Sequence, residues 1–143
     1  MTALVGRSIY AGEGAGAALV STAPISFFGG VDLQTGVIVE KGHPLEGECV
    51  AGRVLVFPRG TGSTVGSFAL LRLARDGRGP AALVMAACDT TVAVGAIIAE
   101  IPCVDRIELG ELVLDVIRER PVRQISARLS LGEGSAGHHR LHD

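Results

Sequence analysis

Ser63 and Thr64 close the run Arg59-Gly-Thr-Gly-Ser-Thr64, and hydroxyls set among glycines in this way suit the binding of an anion. Gly60 and Gly62 admit backbone angles closed to other residues, so the chain can turn tightly and approach a ligand. Ser63 or Thr64 stands where a helix N-cap is expected. A helix starting there would aim free N–H groups and the positive end of its dipole at the loop, a ready site for phosphate or carboxylate. On this reading Arg59, Gly60, Thr61, Gly62 and Thr64 bind the anion. The spacing is not that of a Walker A loop, and Gly60-x-Gly62-x-x-x-Gly66 has one residue too many for the dinucleotide fingerprint. Gly62-Ser-Thr-Val-Gly66 also fails the hydrolase elbow. A tight strand-to-helix turn whose serine merely caps the helix explains the same residues equally well.

The elements that must position this loop are legible on both sides. Val54 to Phe57 is a short apolar run that suits a buried strand, and Pro58 stops it. A helix is predicted over Val65–Asp76, with Val65, Phe68, Ala69 and Leu71 to Leu73 as its apolar face. Gly77-Arg-Gly-Pro80 ends it. Ala81 to Ala86 reads as a second buried strand, Asp89-Thr-Thr91 caps a second helix over Val92–Glu100, and Ile101-Pro102 closes that. Strand–helix–strand–helix–strand therefore recurs from Val54 to Val104, the rhythm of a parallel sheet. Asp89 falls where a strand's carboxyl end meets a helix start, the edge at which ligands collect in open α/β sheets; capping explains it too.

Ahead of that unit, Leu4 to Tyr10 and Gly16 to Thr22 read as two strands around Ala11-Gly-Glu-Gly. The loop Pro24–Gly36 holds Phe27 and Phe28, half of the protein's phenylalanine. Neighbours cannot share one face of a strand, so one anchors the loop and the other faces a partner or the site. Gly29, Gly30 and Asp32 beside them are candidates for lining the site, against a plain turn in which Asp32 is a local cap. Gly36 to Val39 is a further strand candidate. His43, in the loop Lys41–Glu48, is either a catalytic group or a hydrogen-bonded loop residue. From Asp105 on, Ile107 to Arg120 fits a strand pair or a helix, Gln124 to Leu131 alternates as a strand, and residues 132–143 read as a disordered tail. His138, His139 and His142 there fit adventitious metal binding less well than a loose end.

Composition sets the outer bounds. One domain with its own core is expected from 143 residues, built from Val, Leu, Ile and Ala because aromatics are only 3%. A mean hydropathy of +0.41 calls for a well-filled interior or an apolar patch covered by a partner. A formal charge of −2 without a Lys/Arg cluster argues against nucleic acid, and no apolar run reaches the length of a membrane span. The N-terminus lacks signal-peptide order. Cys49, Cys88 and Cys103 are widely spaced with no C-x-x-C pair, so no metal site is expected in this chain, and reduced thiols in a cytoplasmic protein are.

Three motifs in order resemble a known family. Ala23–Gly36, then Gly62-Ser-Thr-Val-Gly-Ser67, then Ala93–Asp105 look like the small subunit of aconitase-X-type dehydratases, over about residues 4 to 110. The resemblance implies an α/β fold, a swivelling β/β/α domain over residues 1–131, with strands in the N-terminal half followed by a βαβαβ parallel-sheet unit. It implies a hydro-lyase completed by a large subunit that holds an iron–sulfur cluster, with no cofactor in this chain. It also implies that Ser63 is the proton acceptor, and iron across the interface would act as Lewis acid on the departing hydroxyl. Family loops usually carry Lys or Arg between the two glycines; here Thr61 stands there and Arg59 is the nearby cation. Relatives dehydrate mevalonate 5-phosphate or cis-3-hydroxy-L-proline, and this loop looks more like the first type. A non-catalytic phosphate-binding or scaffolding module is the reading from a different class.

Overall fold

The computed structural model describes residues 2–108, 124–130 and 137–142. Its organising unit is the one the apolar runs predict: β3 (Val54–Phe57), α2 (Gly66–Arg75), β4 (Ala82–Met85), α3 (Thr90–Ala99) and β5 (Cys103–Asp105). Every residue of β3, β4 and β5 is buried, as expected for parallel strands covered on both faces. β2 (Gly12–Val20) joins them in parallel through Ala18–Val54, Leu19–Leu55 and Val20–Val56. β1 (Thr2–Tyr10) runs antiparallel on the other side of β5.

Two further strands, β6 (Gln124–Ser130) and β7 (Gly137–His142), close the sheet into a barrel of order β1-β5-β4-β3-β2-β6-β7, with β7 returning to β1. β6 lies within the strand expected at Gln124 to Leu131. β7 differs from the expected loose tail: its backbone pairs with two neighbours, and pairing of that kind needs no apolar side chains to support it. Residues 109–123 and 131–136, which include most of the ambiguous Ile107–Arg120 stretch, lie outside the described residues. The first connection is also shorter than the glycines suggest: only Ala11 separates β1 from β2, and the two strands pair with different neighbours rather than with each other.

Side-chain alternation divides the interior. Leu55, Phe57, Leu83, Met85 and Cys103 face Leu70 and Leu73 of α2 and Val92 and Ala96 of α3. Val54, Val56, Ala82, Val84, Val104 and Ile107 form a second cluster on the opposite strand face, within the barrel. At its edge Arg7 donates through Nε and Nη2 to the buried Asp105 carboxylate at 2.9 and 2.8 Å, tying β1 to β5 by side chains. That bond, and the charge of Asp105, hold the Arg7 pKa above its ordinary value.

α2 turns a different face inward from the one predicted. Gly66, Ser67, Ala69, Leu70 and Leu73 are buried, while Phe68 is 67% and Val65 44% exposed. The cause lies in α3. Gly95 faces α2, where a Cβ would stand 2.7 Å from Leu70 and 3.1 Å from the Ser67 backbone. The two helices can therefore meet on small residues, and the Ser67 hydroxyl donates to Thr91 O at 2.6 Å. Gly36 to Val39 is likewise not a strand: Val31–Ile38 and Val37–Cys49 are isolated bridges that brace a loop.

Candidate functional site

The loops leaving the carboxyl ends of the neighbouring parallel strands β2, β3 and β4 converge, the end of a parallel sheet at which ligands collect. After β2 the chain passes through Ser21–Ser26 into α1 (Phe27–Gly30), a single kinked turn. After β3 it runs through Pro58–Val65, and after β4 through Ala86–Asp89. Ile25 clamps the glycine loop by accepting from Thr61 N at 3.0 Å and donating to Arg59 O at 3.1 Å. From the other side Asp89 Oδ1 accepts the Gly60 N–H at 2.9 Å. Gly60 is required there: a Cβ would sit 2.5 Å from a Val92 methyl and 2.6 Å from that carboxylate oxygen. Gly62 then turns with φ +93°, and its missing side chain leaves room for Ser26.

Ser63 stands exposed at the top of this turn. It does not cap α2. The N-cap position is Val65, which makes no side-chain cap bond, because a preceding turn extends the spiral by one step. Gly66 N, Ser67 N and Phe68 N donate to the carbonyls of Ser63, Thr64 and Val65 at 2.9, 3.3 and 3.0 Å. The first N–H groups of the helix are therefore engaged, contrary to expectation. Donors shift one step earlier: among the described residues no acceptor faces the N–H groups of Gly62, Ser63 and Thr64. Successive free amides around a left-handed glycine form an anion-binding concavity of the nest type. The Val65 N–H donates to Ser63 Oγ at 3.2 Å, so that oxygen already accepts one backbone bond while its own proton is free to turn outward. A bond of that kind favours the oxygen when it carries charge.

The other predicted residues fall into two groups. Arg59, Thr61 and Thr64 are exposed around the loop, and Phe28, 49% exposed, lies on the neighbouring α1 with Gly29 and Gly30. Phe27 is the anchor of its pair, buried edge-on against Phe57 with ring centroids 5.9 Å apart. Asp32 and His43 build loops. Asp32 Oδ1 accepts from Gln34 N at 2.8 Å and Thr35 N at 3.3 Å, the local cap weighed from sequence. His43 is buried; its Nδ1 accepts from Leu45 N at 3.0 Å, so Nε2 carries the proton and donates to Pro24 O at 2.9 Å. Both ring nitrogens are engaged, and the ring ties the 40s loop to the segment leading into α1.

Sequence reasoning left out Ser26 beneath Gly62 and Ile25 as the clamp, and it weighed Asp89 as a ligand-edge carboxylate or a cap rather than as a tether on Gly60. No local pattern marks Ile25 or Ser26. Among the described residues no group of three or more His, Cys, Asp or Glu side chains converges as metal ligands would. Cys103 is buried, and contact with the Cys88 thiol together with burial pushes its pKa well above the ordinary value, away from the thiolate a metal needs. The described residues thus offer no assembled ligand set for an iron–sulfur cluster.

A family model described as the aconitase X swivel domain matches residues 3–128. The phosphomevalonate dehydratase small subunit of Thermococcus sibiricus is 50% identical over 109 residues, which cover 76% of this chain and 84% of that protein. Its counterpart from Methanocella arvoryzae is 52% identical over 103 residues, covering 72% and 78%. The crystal structure of holo-form Thermococcus kodakaraensis aconitase X matches with a TM-score of 0.85 at 34% identity over 100% of both chains.

Proposed function

Because the chain belongs to the aconitase X swivel-domain family, we propose that it is the small subunit of a phosphomevalonate dehydratase. In this reading it is one part of a cytoplasmic hydro-lyase that removes water from mevalonate 5-phosphate and is completed by a large subunit. The carrying observation is Ser63: an exposed hydroxyl beside three free backbone amides, in a chain 43 to 52% identical to proteins bearing that subunit's name.

Dehydration takes a proton from carbon, turns the C–H electron pair into the second bond of an alkene, and releases hydroxide from the adjacent carbon. Ser63 Oγ, as the alkoxide, accepts that proton; passing it on to the released hydroxide gives water and restores the alkoxide. A serine hydroxyl is a weak base, so its charged form must be favoured, and the Val65 N–H at 3.2 Å does this. The Gly62, Ser63 and Thr64 amides hold a phosphate or carboxylate oxygen, and Arg59 adds a cation at the rim. Water must be kept out for these donors to act at strength, since Coulomb attraction grows as the local dielectric falls. The exposed loop cannot exclude water alone; the partner subunit covers it.

The surface supports such a partner. α3 carries no charged residue from Thr90 to Ala99, and Val94, Ile97 and Ile98 are all exposed at helical spacing on its outward face. Phe28, Val65 and Phe68 are exposed beside the loop. Apolar side chains in such numbers mark an interaction surface. The iron–sulfur cluster is assigned to the large subunit. Reconstitution with that subunit tests the reading: the complex turns over mevalonate 5-phosphate, and Ser63→Ala lowers kcat at least ~10²-fold. Near-normal turnover by the assembled Ser63→Ala complex overturns the role of Ser63; activity on cis-3-hydroxy-L-proline alone overturns the substrate.

A further inference from the structure

Asp89 is used twice. Its Oδ2 accepts the Val92 N–H at 3.3 Å and caps α3, while Oδ1 accepts the buried Gly60 N–H at 2.9 Å. An ordinary cap needs only the first bond. The second crosses from the β4–α3 junction to the β3–α2 loop and holds that loop three residues before Ser63. Ile25 holds the same strip of backbone from the opposite side, so Arg59 to Thr61 is pinned between two neighbours. Beyond it, Gly62 and Ser63 are exposed and depend on that strip for their position.

We propose that Asp89 is a positioning residue of the dehydratase, setting the place of the Ser63 hydroxyl through its bond to Gly60. This rests on the assignment of Ser63 as proton acceptor. Asp89 touches no substrate; it fixes the backbone that presents the group which does. A misplacement of about 1 Å at a reacting group is enough to cost about 10²-fold in rate, so a tether one bond removed from the chemistry has a measurable effect.

The test separates capping from tethering. Serine is as good an N-cap as aspartate, but its one oxygen, on a side chain an atom shorter, does not reach both N–H groups that Asp89 takes with two separate oxygens. In the complex reconstituted with the large subunit, Asp89→Ser is expected to lower kcat at least ~10-fold. In the full chain, the Gly60 amide is expected to exchange at least ~10-fold faster. Asp89→Asn, which keeps one strong acceptor, is expected to fall between, and serves where the serine variant does not assemble. In a Ser63→Ala background Asp89→Ser should cost less than ~2-fold more, because the two act through one oxygen. Wild-type kcat in an assembled Asp89→Ser or Asp89→Asn complex overturns the proposal, as does a full ~10-fold loss on top of Ser63→Ala. If Ser63→Ala alone is harmless, the acceptor assignment has failed, and the Gly60 exchange rate still decides whether the tether exists.

Discussion

α3 starts on Asp89, whose carboxylate takes the Val92 N–H, whereas α2 starts on Val65 without a side-chain cap and engages its first N–H groups through backbone turns. Their outer faces differ as well. α2 ends in Arg72 and Arg75, with Arg72 3.8 Å from Asp76, a surface made for water. α3 shows Val94, Ile97 and Ile98 instead. A side-chain cap fixes a helix end and needs no ligand. A backbone-wound end leaves the preceding loop with donors that only an outside group can satisfy. α2 exposes the apolar Phe68 only beside the glycine loop and carries charge at its far end, whereas α3 is apolar along its outward face.

Five substitutions would break or sharpen that contrast. The largest effect is expected from Ser63→Ala, at least ~10²-fold in kcat with an unchanged thermal midpoint of the isolated chain, since the side chain is exposed. Asp89→Ala should do the opposite kind of damage. It orphans two amides and lowers the stability of the chain by about 2 kcal/mol in urea unfolding. The matching change at the other helix, Val65→Ala, should cost under about 0.5 kcal/mol by the same measurement. Ile97→Glu should leave the isolated chain as stable as before yet weaken its association with the large subunit at least ~10-fold, about 1.4 kcal/mol in a titration. Arg72→Ala removes an exposed ion pair and should change stability by less than about 0.5 kcal/mol, with no effect on assembly.

Much of the architecture was legible because apolar runs were bounded by unmistakable stops. Pro58 and Pro80 frame β3 and β4, and Asp89 with Ile101-Pro102 frames α3. The face of α2 was not, because helical spacing weighs Phe68 by its hydrophobicity and gives Ser67 none. What decides the matter is a glycine on the next helix: Gly95 lets α3 approach so closely that small Ser67 goes inside and Phe68 goes out. The tight, exposed glycine loop proposed as the anion site was legible through Gly60, Gly62 and Ser63. The identity of the donors was not, since whether a helix's first amides are free depends on the turn that precedes it. Asp89 was visible as a strand-end carboxylate, but its grip on Gly60 spans residues that no local pattern connects.

The ring of strands has a consequence for how this subunit is recognised. With β7 laid against β1, the described residues leave no unpaired border strand for a foreign chain to extend by backbone pairing. Self-stacking through such a border is barred by the same closure. What these residues offer a companion instead is the helical flank, where Phe68, Val94 and Ile97 are exposed.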